Sequence, residues 1–290
     1  MSDVTETAVA PGLGAIATGS ALRIADDLVA LFEYVSLLPD KVQWVHRQIA
    51  SDLGAPLDLA LDGACAAVAS TIDANACRFD RHPYHNRQHF CEVALTAYIL
   101  CLLGRHDSRT TQFVLLAALV HDFEHAGTSS EAFVLERASI DSVRGMLEHA
   151  GLGPVDVRRL TVLVLATDPS RGGVFMAAVC RAHAEGGPVS VPPPAEASEL
   201  VDLVADAALA ELARTLCEAD ILPSIGLNLA HAMRLQDRLS REWDRPLSKR
   251  DKLDFVDTVL ARGFIGAYFL PNVQATRAAL VAEVNAYAQA

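Results

Sequence analysis

Apolar residues along this chain recur mostly at three- and four-residue intervals. Leu200, Leu203, Val204, Ala207, Ala208, Leu212 and Leu216 follow that spacing and predict one stripe along a long amphipathic helix. Leu235, Leu239 and Trp243 repeat every fourth residue and predict another. The run from Phe113 to Val120 reads as deeply packed, and the longest apolar stretch, Val93 to Leu103, is about half what a bilayer crossing requires. No long alternating run punctuated by Asn-Gly or Asp-Gly argues for sheet. The segment from Gly186-Gly187-Pro188 to Pro192-Pro193-Pro194 cannot be helix interior and reads as a surface loop, because helical patterning continues on both sides. Residues 1–20 are small, polar and aperiodic and predict a flexible tail; residues 21–290 predict a single helical domain. The expected class is all-α.

Composition narrows the function. The chain has 290 residues, 51% of them hydrophobic, which is enough for a substantial core. Its 24 Lys and Arg against 36 Asp and Glu give a net charge of −12, a poor balance for neutralising phosphates of a nucleic-acid polymer or lying on a membrane surface. The acidic start, Met1-Ser2-Asp3-Val4-Thr5-Glu6, lacks the basic residues of a signal peptide. Six cysteines show no C-x-x-C spacing and read as buried reduced thiols. The expected location is cytoplasmic.

The ten histidines are unevenly spread. His85 and His89 are four apart, as are His121 and His125, so each pair can share one face of a helix. A single such pair is unremarkable among ten. Two pairs, one with Asp122 abutting it at the end of an apolar run, point to a metal site, since a carboxylate leaving such a run needs a cation, several hydrogen bonds or a metal. Cys217-Glu218-Ala219-Asp220-Ile221 closes the amphipathic stripe. An acid at a helix C-terminus opposes the dipole and is better explained with a compensating cation.

Tyr84-His85-Asn86-x-x-His89, His121-Asp122-x-x-His125-x-Gly127, Ala166-Thr167-Asp168 and Ala219-Asp220-Ile221, in this order, resemble the class I cyclic nucleotide phosphodiesterases of the HD metallohydrolase group. The likeness runs from about Arg81 to Pro271. It implies a compact multi-helix bundle with a dinuclear metal pocket. His89, His121, Asp122 and Asp220 would ligate the first ion, zinc in most members. Asp122 would bridge to a second, magnesium or manganese. The mixed imidazole and carboxylate set suits zinc, and a shell of oxygens suits magnesium. The resemblance further implies that a hydroxide between the metals attacks phosphorus and that His85 protonates the departing oxygen while Glu242 holds its imidazole. It places His125 and Glu136 around the metal-bound water. Taken by itself, Glu242 on a charged helix face reads equally as a surface acid.

Other positions depart from the family. Where a purine-binding Gln stands two residues before Gly263, this chain has Ala261. Phe264 matches the aromatic that stacks on the base, although the residue can equally be core packing. Pro223 replaces an Asn, Gly172 replaces a His after Ala-Thr-Asp, and Ser130 replaces another Asn. Tyr84, Ala261 and Phe264 mark the expected substrate pocket. The implied function is hydrolysis of 3',5'-cyclic nucleotides with relaxed or altered base selectivity. The alternative is a related hydrolase acting on a different small phosphoester, ester or amide. The expected partner is a small anionic substrate, and a homodimer is compatible with the sequence.

Overall fold

The computed structural model describes residues 12–124 and 131–288. They are helical throughout, with no strand among them. The chain begins with α1 (Leu13–Ile16), α2 (Ala21–Ser36), α3 (Lys41–Leu53), α4 (Leu59–Ala74) and α5 (Ala76–Phe79). It continues through α6 (Arg87–Leu103), α7 (Ser108–Val120), α8 (Val134–His149), α9 (Pro154–Ala166) and α10 (Gly172–Glu185). After the loop at 186–194 and a short 3-10 stretch (Ala195–Val201) come α11 (Asp202–Ala205), α12 (Ala207–Ile225), α13 (Leu229–Glu242), α14 (Lys249–Arg262) and α15 (Leu270–Ala288).

Helix α6 is the axis of the bundle. Every side chain from Arg87 to Cys101 is buried, because α2, α3, α7 and α12 pack around it. A helix enclosed on all sides needs no solvent-facing polar face, and its polar side chains find partners inside the protein: Arg87 pairs with Asp73 and Asp80, and Gln88 donates to the Phe32 carbonyl and to Glu92. Helix α7 is buried from Thr111 to Val120, as its apolar run predicts. Helix α12 lies against α6, α9, α10 and α13, and one continuous apolar cluster extends from Leu13 to Leu280. Of the cysteines, Cys65, Cys91, Cys101 and Cys217 are buried thiols as expected, Cys180 is partly buried and Cys77 is exposed.

Four expectations change. Residues 13–20 do not belong to a tail: Leu13 and Ile16 are 4% and 3% exposed, inserted against the core, and Ser20 caps α2, while residues 1–11 lie outside the described residues. The stripe from Leu200 to Leu216 is not one helix. Asp206 interrupts it and accepts from the Leu209 amide as a new N-cap, leaving Val204, Ala207 and Ala208 outside the core. Asp220 does not close a helix; α12 runs on through Pro223 to Ile225, so the dipole argument does not apply to it. Finally, His85 and His89 do not share a helix, since Asn86 is the N-cap of α6, and α7 ends just before His121.

Two glycines give opposite expected outcomes in urea denaturation. A Cβ at Gly172 would lie 2.1 Å from the Leu165 carbonyl oxygen, so Gly172→Ala should cost about 1–3 kcal/mol as backbone is forced aside. Gly145 lies inside α8 with nothing near its missing Cβ, and Gly145→Ala should stabilise by about 0.5–1 kcal/mol.

Candidate metal centre and its cavity

The start of α6 is set by Asn86, whose side-chain oxygen accepts from the amides of Gln88 (2.9 Å) and His89 (3.3 Å). Its Nδ2 donates to the carbonyls of Pro83 and His82, so the turn before the helix is tied to the helix itself. This single residue fixes His85 just outside the helix and His89 in its first turn. His121 follows α7 directly. Its Nδ1 lies 2.9 Å from the Ala118 carbonyl, which only accepts, so Nδ1 carries the hydrogen and Nε2 presents a lone pair.

Three elements now converge. His89 Nε2 is 3.3 Å from His121 Nε2, 3.1 Å from Asp122 Oδ2 and 3.2 Å from Asp220 Oδ1. His121 Nε2 is 3.2 Å from Asp122 Oδ2 and 3.7 Å from Asp220 Oδ1. Donors placed tetrahedrally around an ion at about 2.0–2.1 Å stand about 3.3–3.4 Å apart, and these separations bracket that value. Both imidazoles are buried, at 5% and 2% exposed. Desolvation works against a charged His89, but hydrogen bonds to Asp122 and Asp220 outweigh it and hold its pKa at about 9. The same opposition raises His121 well above the ordinary imidazole value. Desolvation likewise opposes ionisation of Asp220, and its bonds to His121 and His89 prevail, keeping the carboxyl well below its usual range. Two carboxylates around two ring nitrogens therefore call for positive charge at their centre. A divalent ion with N and O ligands fits that donor set.

His85 and Glu242 meet beside this cluster. Glu242 Oε2 accepts the amides of Tyr84 (2.8 Å) and His85 (3.0 Å), while Oε1 accepts from His85 Nδ1. With Nδ1 donating there, His85 Nε2 faces the cluster, 4.0 Å from Asp122 Oδ2. Glu242 ends α13, where the helix dipole disfavours a carboxylate. Its side chain is 2% exposed, and burial too would raise its pKa. The His85 bond and charge, with the two amides, overcome this and pull it down to about 2.

The cluster opens on a cavity of about 620 Å3, within the range of small-molecule sites. Tyr84 lines it, with its ring 4.8 Å from that of His85 and 5.1 Å from that of His89. Glu136, in the first turn of α8, lines it too, and burial pushes its pKa up to about 7. His125 lies outside the described residues. Phe264 is both things the sequence allowed: it is 3% exposed in the apolar core, yet it borders the cavity. Ala261 is not brought to the site. It sits on the exposed face of α14 and does not line the cavity. The family's His cannot occupy position 172 on this backbone, for the reason that keeps Gly172 a glycine.

Two contributors were given no role from the sequence. Asp168 is 5% exposed, and its Oδ1 gathers the amides of Ser170, Arg171 and Gly172 and the Ser170 hydroxyl, while Oδ2 accepts the Phe133 amide. It shapes the cavity wall; a motif match named it without a role. Lys252 lines the wall from α14, and nothing in its charged surroundings, Lys249-Arg250-Asp251-Lys252, marks it as buried.

No protein-family model matches the chain. A stretch of 94 residues is 36% identical to the dual specificity calcium/calmodulin-dependent 3',5'-cyclic nucleotide phosphodiesterase 1 of Drosophila melanogaster, covering 30% of this chain and 11% of that protein. The chain thus matches about a tenth of that relative's length. Among solved structures, the phosphodiesterase domain of the RhoPDE fusion protein from the choanoflagellate Salpingoeca rosetta superposes with a TM-score of 0.59 at 18% identity, over 91% of this chain and 93% of that one. LmjPDEB1 in complex with IBMX superposes with a TM-score of 0.60 at 14% identity, over 95% of this chain and 98% of that one.

Thermal denaturation tests the donor set. Zinc at a hundred times its dissociation constant should stabilise the chain by about 2.7 kcal/mol, and Asp220→Asn should remove most of that gain. An equal rise in midpoint for both proteins would mean that the ion binds elsewhere.

Proposed function

We propose that this chain, which has the fold of the phosphodiesterase domains it superposes on, is a metal-dependent phosphodiesterase hydrolysing 3',5'-cyclic nucleotides with loose selectivity for the base. The observation that carries this reading is the position of the His85–Glu242 pair, with His85 Nε2 4.0 Å from Asp122 Oδ2 and with His85, Asp122 and Asp220 on the wall of one cavity.

His89, His121, Asp122 and Asp220 would hold one ion, zinc by the chemistry of the donors, with Asp122 shared with a second, magnesium or manganese. When bound, these ions draw charge from the phosphoryl group and make water nucleophilic at neutral pH. The remaining work falls to the protein. Water adds to phosphorus, the bond to the ring ester oxygen breaks, and that oxygen leaves as an alkoxide unless a proton reaches it. His85 stores the proton on Nε2. Glu242 holds the ring by Nδ1, so that Nε2 faces the reacting group, and its negative charge stabilises the imidazolium until transfer. The backbone amides of Tyr84 and His85 lock the carboxylate in turn. Glu136, with a pKa near 7, would exchange protons with water in the cavity.

Loose base selectivity follows from α14. Ala261 offers no amide and faces outwards, leaving Phe264 and the wall around it to meet the base. The same observation favours a second reading, in which the substrate is another small phosphoester.

The test is turnover of cyclic AMP and cyclic GMP by the zinc-loaded protein with magnesium or manganese added. Turnover of both within about tenfold of each other is expected, and no turnover at high enzyme concentration would refute the assignment. His85→Ala should lower kcat by about 10²–10⁴-fold with metal content unchanged. Glu242→Gln should fall in the same direction by less, because the amide still accepts from Nδ1 but no longer stabilises the imidazolium.

A further inference from the structure

Lys252 lines the cavity, and the proposed chemistry leaves it unused. It is 6% exposed, on the wall formed by α14, in the same cavity as His85, Asp122 and Asp220. Among the described residues no carboxylate lies within ion-pair distance of its ammonium, whose nearest recorded contact is the Phe255 ring, 5.6 Å to the centroid. Its neighbours are already engaged. Asp251 accepts from the Ser248 amide and hydroxyl and from Arg245, and Gln236 donates to the carbonyls of Leu247 and Ser248.

An ammonium taken out of water without a partner is costly. Elsewhere the fold avoids that cost: the buried Arg87 has Asp73 and Asp80, and Arg214 has Glu211 and Glu218. Burial alone pulls the Lys252 pKa down to about 8, so the group is still mostly charged at neutral pH. A second cation stands on the same wall. Arg262 donates to the Pro169 carbonyl, lies 5.8 Å from the Phe264 ring centroid, and has no carboxylate in range among the described residues. The α14 wall therefore turns two cations towards the cavity, Lys252 near its start and Arg262 at its end beside the expected base-stacking ring.

We propose that Lys252 binds an oxyanion on the part of the substrate remote from the scissile bond. The preferred substrate is then a phosphoester bearing a second negative group, a carboxylate or a phosphate. This rests on the phosphodiesterase reading for the placement of the reacting phosphoryl group at the metal end. It departs from that reading in what the other end recognises.

The experiment titrates the metal-loaded full chain with three probes: phenyl phosphate, 4-(carboxymethyl)phenyl phosphate and 1,4-phenylene bisphosphate. The wild type should bind one or both of the probes with a second anionic group about tenfold more tightly than phenyl phosphate, the scale of one charge-assisted hydrogen bond. Preference for the carboxylate or for the bisphosphate identifies the kind of oxyanion. Lys252→Met, similar in length and uncharged, should bring the ratio to within about twofold of one, whereas Lys252→Arg should keep most of it. Metal content and the thermal midpoint check that Lys252→Met folds. Equal affinities in the wild type, no binding of any probe, or a ratio unmoved by Lys252→Met would overturn the proposal. Hydrolysis of bis(4-nitrophenyl) phosphate, measured alongside, separates the two claims. Hydrolysis without probe preference sinks the Lys252 assignment alone. Probe preference without hydrolysis of that diester or of cyclic nucleotides sinks the phosphodiesterase reading alone.

Discussion

Two imidazole nitrogens 3.3 Å apart, each buried and each flanked by carboxylate oxygens, form an arrangement that water cannot relieve. The carboxylates around them raise the pKa of both imidazoles despite their burial, so the cluster favours positive charge at its centre. In the proposed reading a divalent cation would supply it. The surrounding fold serves that requirement. Helix α6 is enclosed by its neighbours so that His89 is held at its first turn; α7 delivers His121 from an entirely apolar run; α12 packs along α6 and brings Asp220 across. A rigid, apolar frame keeps these donors from drifting apart when the site is without its ion.

Much of this was legible in the chain because ligands lie in short motifs with fixed spacing. His89, His121, Asp122 and Asp220 were all named from sequence, and the structure brings them together. The local geometry behind those motifs was not legible. An i, i+4 spacing suggested that His85 and His89 share a helix face. Asn86 instead starts the helix between them, which leaves His85 outside it while His89 lies buried in its first turn. The stripe ending at Leu216 failed for a similar reason: Asp206 satisfied an amide and restarted the helix, a choice that periodicity does not register. Leu13 and Ile16 were hidden in a segment too short to show a period.

Recognition was harder to read than chemistry. Ala261 marked the absence of an amide but not where its side chain would face, and Phe264 could be placed in core or cavity until the structure put it in both. Lys252 sits in a charged run that looks solvated, and only the packing of α14 across the cavity buries it. The outcome is a cavity whose wall carries both kinds of charge: Asp122 and Asp220 at the donor cluster, and Lys252 and Arg262 from α14, within a chain whose overall charge is −12.

The central claim is that four side chains from three separate stretches hold a single divalent ion. Diffraction from crystals of the zinc-loaded protein at the zinc absorption edge tests it most directly. One strong anomalous peak should lie about 2.0–2.2 Å from Nε2 of His89 and His121 and from an oxygen of each of Asp122 and Asp220. A peak elsewhere, or one that Asp220 does not reach, would contradict the claim.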